Sequence, residues 1–190
     1  NGTFEFRYRN IVPAANGSTE PCGRREASYL GMTRRWFNRG QIADDYDVGI
    51  IVCGNRLGTR REIGRAAGWF GHCYANCLQP YWFLTQPSYP QNVCNGDRMT
   101  ASQHLSEGLT FRDYFHGTGM RGGSSGGPHV SNIGEFQDSS TSPGQFTPRN
   151  ILFAVTSRGW VAHGFTQQGA STLAGAADAN NWVRMHSQVC

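Results

Sequence analysis

At 190 residues and a formal net charge of +4, the chain is long enough to bury a core as one domain, or as two small ones sharing an interface. Its charged fraction of 16% is well below the ~25% of an average soluble protein. Its 17 basic residues, all arginine, are scattered without interleaved aromatics, which argues against nucleic acid as a partner. No run approaches the ~20 apolar residues of a membrane span, so no membrane partner is expected.

In chain order the first segment, 3–12, alternates Phe4, Phe6 and Tyr8 against Glu5, Arg7 and Arg9. That period of two marks a strand with one buried face. Further short runs follow at 27–32, 48–53, 81–86, 97–105, 109–115 and 150–160, divided by clusters of Gly, Pro, Asn and Ser. Residues 139–148 read as a polar surface loop. Only the end reads as helix: Asp178 or Asn180 caps it, and Trp182, Val183 and His186 share a face. Many short strands and one terminal helix predict an all-β barrel or sandwich.

The six cysteines (Cys22, Cys53, Cys73, Cys77, Cys94, Cys190) allow three internal bridges. Cys73 and Cys77 lack a second ligand pair at zinc spacing, so no metal site is expected, and no cofactor motif is present. Asn1-Gly2-Thr3 and Asn16-Gly17-Ser18 are acceptors for N-glycosylation. Together these predict a secreted, extracellular protein.

The chemistry gathers around two stretches. In Gly119–Val130, "GMRGGSSGGPHV", glycines on both sides of two serines let the backbone turn sharply and bring amides close to a substrate. With Ser125 as nucleophile, the amides of Gly123 and Ser125 form an oxyanion hole. In "DDYDVGIIVC", Asp47 directly precedes an apolar strand. A carboxylate there needs a partner such as an imidazole N–H.

These residues resemble the chymotrypsin-like serine proteases. "GSSGGP" matches the nucleophile motif, and "YDVGII" the strand bearing the triad aspartate. "NGSTEPCG", "RAAGWFG" and "PSYPQN" are similar to segments of the glutamyl-endopeptidase-like branch. The resemblance implies two packed antiparallel β-barrels with a short C-terminal helix, the first barrel being incomplete in this chain. Residues 1–80 then carry the triad Asp47, 81–176 form the second barrel with Ser125, and 177–190 are helix and tail. In this family the triad histidine precedes the aspartate, yet all six histidines here (His72, His104, His116, His129, His163, His186) follow Asp47. His72 imitates a motif ending, and His116 and His129 are expected to have surface or core roles.

The resemblance also places the specificity pocket. Gly119 stands where trypsin-like members carry aspartate, so selection of Arg or Lys is not expected. Met120 follows it, and Val155, Thr156 and Ser157 form a wall, Val155 standing where the glutamyl branch carries histidine. Arg158 leans the reading toward an acidic residue. Two functions follow. One is a secreted serine endopeptidase acting on polypeptides through an acyl-enzyme, its histidine and missing strands supplied by a shorter N-terminal chain, with Cys22 or Cys190 as candidates for a covalent link. The other is a non-catalytic, protease-like binding protein.

Overall fold

The computed structural model of the chain describes residues 10–11, 25–40, 46–53, 64–65, 68–73, 83–105, 113–133, 150–162 and 165–173. The expected C-terminal helix, both sequons, Cys22, Cys77 and Cys190, and nearly all of segment 3–12 lie outside these residues.

Two sheets carry the fold. The first is antiparallel, in the order β1 (Asn10–Ile11), β2 (Arg25–Met32), β3 (Gly49–Cys53). Register pairs Leu30 with Ile51 and Met32 with Gly49. Between β2 and β3 lies a short helix, α1 (Arg34–Arg39), which corrects the expectation of helix only at the end. Its signals are local: the Thr33 hydroxyl accepts from the Trp36 amide at 3.2 Å, and Gly40 closes it at φ 55°.

The second sheet is larger. Its strands are β4 (Gly71–His72), β5 (Phe83–Ser88), β6 (Thr100–Leu105), β7 (Asp113–Gly117), β8 (Pro128–Ser131), β9 (Ile151–Ala162) and β10 (Phe165–Thr172). The order is β6-β5-β8-β9-β10-β7, with β4 parallel to the start of β9. Strands β6 and β7, at the two ends, come back beside each other, so the sheet curls toward a barrel. A three-residue 3-10 turn, Cys94–Gly96, lies between β5 and β6.

Inside this barrel the core has two kinds of layer. Leu84, Tyr114, Phe153, Ala154 and Ala170 form an apolar cluster. Beside it lies a polar layer to which every strand from β5 to β10 contributes: Gln86, His104, His116, His129, Thr156 and Gln168, all buried. A second apolar group joins the two sheets. Val48, just ahead of β3, and Leu173, just beyond β10, are 2% and 1% exposed, with Ile50, Leu152 and Val155 against them. The chain is thus all-β, and this contact fixes the start of β3 against β9.

Candidate active site

The serine loop is held from several sides. The Gly122 carbonyl accepts from the Gln91 amide at 2.7 Å. The Asn92 side chain clasps both arms, donating to Gly119 O at 2.9 Å and accepting from the Arg121 amide at 3.0 Å. Past the serines, Gly126 N donates to Thr156 O at 2.8 Å, and Thr156 N donates to Gly127 O at 2.9 Å. Two glycines are required here. Gly123 sits at φ +94°, and a Cβ on it would lie 2.7 Å from Tyr89 O; one on Gly127 would overlap the Ser88 hydroxyl.

The two serines differ sharply. Ser124 is 2% exposed; its hydroxyl donates to Arg121 O at 2.7 Å and accepts from Gln168 Nε2 at 2.5 Å. Ser125 is exposed on a pocket wall. The amides of Ser124, Gly126 and Gly127 are all bonded, whereas those of Gly123 and Ser125 have no acceptor among the described residues. Two donors left open beside an accessible hydroxyl are what an oxyanion needs.

Asp47 arrives from the other sheet. Thr33, 1% exposed, donates to Tyr46 O at 2.6 Å, and Arg35 donates to the Tyr46 hydroxyl at 2.6 Å. These contacts fix the backbone just before the aspartate. Its carboxylate then accepts from the Ser157 hydroxyl at 2.8 Å. Ser157 follows Thr156, the residue that pins the serine loop. Asp47 and Ser125 are therefore linked through two adjacent residues of β9.

The pocket beside Ser125 has a cavity of about 160 Å³. Of the residues expected to line it, Met120, Thr156 and Arg158 do. Gly119 is exposed outside it, Val155 packs with Val48 and Leu173, and Ser157 faces Asp47. The sequence reading missed Gln167 and Gln168, which come from β10, a strand too polar to show an apolar alternation. The guanidinium of Arg158 lies over the Phe115 ring, 5.1 Å from its centre.

Behind the pocket runs the polar layer. Gln168 Nε2 donates also to Met120 O at 3.2 Å, and Gln86 Nε2 donates to Gln168 Oε1 at 2.8 Å and Thr156 Oγ1 at 2.6 Å. Thr156 donates to Gly127 O at 3.2 Å. Beyond lie His116 (Nε2 to Gln86 Oε1, 3.0 Å) and His129 (Nε2 to Thr156 Oγ1, 2.9 Å). Tyr114 Oη bonds His129 Nδ1, with His104 Nε2 3.3 Å from that nitrogen and 3.4 Å from Tyr114 Oη.

Burial holds all three imidazoles neutral. Desolvation, then the repulsion of His116, lowers His104 to about 3; desolvation lowers His116 to about 4. Desolvation pushes His129 well below the ordinary value, with smaller contributions from His116 and His104, and raises the Tyr114 hydroxyl. The ligand atoms of the three histidines lie within 4.8 Å of one another. However, His104 and His116 stack at 3.9 Å with planes 16° apart. An imidazole binds a metal in its own plane, and no point ~2 Å from both nitrogens lies near both planes. His116 and His129 take core roles, as expected, and with His104 they bond Gln86, Thr156, Tyr114 and one another.

No protein-family model matches the chain, and neither does any curated protein. Solved structures do. The chain is similar to a thermostable serine protease, AL20, from an extremophilic microorganism, at 16% identity and a TM-score of 0.69, covering 94% of this chain and 75% of that one. Similarity to the protease Anisep from Arthrobacter nicotinovorans is 19% identity and TM-score 0.66, over 92% and 74%. A Glu endopeptidase aligns at 14% identity and TM-score 0.66, over 94% and 71%. The fold is that of the chymotrypsin-like serine proteases.

Proposed function

We propose that the protein is a secreted serine endopeptidase that hydrolyses polypeptides through an acyl-enzyme on Ser125. Asp47 is the orienting carboxylate, and the Gly123 and Ser125 amides are the oxyanion donors. The observation that carries this reading is the run Asp47–Ser157–Thr156–Gly126, which draws a carboxylate from one sheet to the serine loop of the other. A binding module has no use for two open amides beside an exposed hydroxyl.

The remaining part is a base. Without an imidazole the Ser125 hydroxyl keeps its proton at neutral pH. We assign that imidazole to a shorter N-terminal polypeptide bound to this chain. One observation supports it: the first sheet leaves Tyr29, Leu30 and Ile51 39–46% exposed, a surface that added strands would cover.

A phosphonylating serine reagent tests the assignment. Native protein should be labelled at Ser125, denatured protein at neither serine, and a smaller histidine-bearing polypeptide should separate under denaturing conditions. Labelling at Ser124, or no labelling, leaves the non-catalytic binding reading in place.

A further inference from the structure

The two open amides belong to a turn that its glycines would leave loose. Gly122 and Gly123 have no Cβ to restrict their dihedrals. The placing of the Gly123 and Ser125 amides therefore depends on what holds Met120 and Ser124, the residues on either side of Arg121–Gly123. One side chain reaches both. The Gln168 carboxamide, 3% exposed, donates to Met120 O at 3.2 Å and to Ser124 Oγ at 2.5 Å. Ser124 passes the hold on, donating to Arg121 O at 2.7 Å.

The direction of these bonds is fixed. Met120 O is a main-chain carbonyl that only accepts, and Ser124 has spent its hydrogen on Arg121 O. The Gln168 nitrogen thus faces the turn, and its oxygen accepts from the buried Gln86 at 2.8 Å. The backbone beneath it is equally constrained. Strand β10 is paired on both sides, Gln168 lying opposite His116 of β7 and Gly159 of β9.

Asn92 makes as many bonds to the same loop from the outside, to Gly119 O and from the Arg121 amide. It is exposed, so water can take its place. Met120 and Ser124 are buried, and a donor lost there leaves acceptors that water does not reach. The inner hold is the one that cannot be replaced.

We infer that Gln168 is a positioning residue for the reaction: from inside the second barrel it sets the oxyanion amides by holding Met120 and Ser124. This rests on Ser125 being the nucleophile and on the Gly123 and Ser125 amides receiving the oxyanion.

The test is the rate at which the phosphonylating reagent labels Ser125 in the assembled protein, with variants measured as a ratio to wild type between about pH 6 and 9. Gln168→Met, which fills the space but donates nothing, should label about tenfold more slowly or worse throughout. Asn92→Ala, losing the same number of bonds, should fall by no more than about threefold. Gln168→Glu keeps the shape and the contact from Gln86, but donates only when protonated, and burial raises a carboxyl's pKa. Its ratio should match Gln168→Met at about pH 9 and climb as the pH falls. His116, Arg121 and Arg158 are the same in both proteins, so the ratio isolates position 168. Gln168→Glu also decides the matter where Gln168→Met does not fold. Wild-type labelling by either Gln168 variant at about pH 9, a Gln168→Glu ratio that does not climb, or an equal loss in Asn92→Ala overturns the inference and leaves the proposed function standing. A wild type that is not labelled at Ser125 overturns both.

Discussion

Three imidazoles held neutral in one barrel make its stability depend on pH in a calculable way. Folding depresses their pKa values from 6.5, to about 4 for His116, about 3 for His104 and well below 6.5 for His129. The unfolded chain therefore binds protons that the native state refuses. Stability is full above about pH 6.5 and is lost as pH falls toward the folded values. At about pH 5.5 each unfolded imidazole gains about 1.4 kcal/mol from protonation, or about 4 kcal/mol for the three. Against a usual stability of about 5–15 kcal/mol, that loss is large. Carboxylates titrate lower, near ~4, so the window between about pH 7.5 and 5.5 reports mainly histidine. Urea unfolding at the two ends should show the difference directly, and His104→Phe should reduce it by about one third. A change below about 1 kcal/mol would mean that the cluster is hydrated or already charged, and would refute the reasoning.

Other outcomes follow from the same geometry. Ser125→Ala should remove nearly all turnover of the assembled enzyme, whereas Ser124→Ala should retain a measurable rate. Gly123→Ala, which drives a Cβ to 2.7 Å from Tyr89 O, should displace an oxyanion donor and lower kcat by about 100-fold or more. Asp47→Asn should cost about 10³–10⁴ in kcat, with Ser157→Ala, which removes only the 2.8 Å contact, costing far less; equal losses would contradict the assigned roles. Leu173→Ala should destabilise by about 2–5 kcal/mol in urea unfolding, since this buried side chain lies against Val48 of the other sheet.

What could be read from the sequence divides by chemistry. The loop around Ser125 was legible because glycine at fixed offsets has a steric cause, and Gly123 and Gly127 have that cause here. Strands β3, β5 and β9 were legible from their apolar residues. Strand β10 was not, because "FTQQGAST" buries Gln168, Ser171 and Thr172, and polar residues reach the interior only with partners from distant strands. The same reason hid the floor of the pocket. Helix α1 did carry a signal, Thr33 at its start and Gly40 at its end, but its six residues are too few for an apolar stripe. His104, His116 and His129 looked like three unrelated residues until β6, β7 and β8 aligned them.

The buried hydrogen-bonded layer also gives the second barrel an internal clock. Gln86 and His129 are 0% exposed, so their N–H protons exchange with deuterium only when the strands around them part. A nuclear magnetic resonance experiment can follow the Gln86 and Gln168 carboxamide protons and the His129 imidazole proton separately. If β10 peels away alone, the Gln168 protons vanish first. If the barrel opens as a unit, all of them decay together, at the rate of global unfolding.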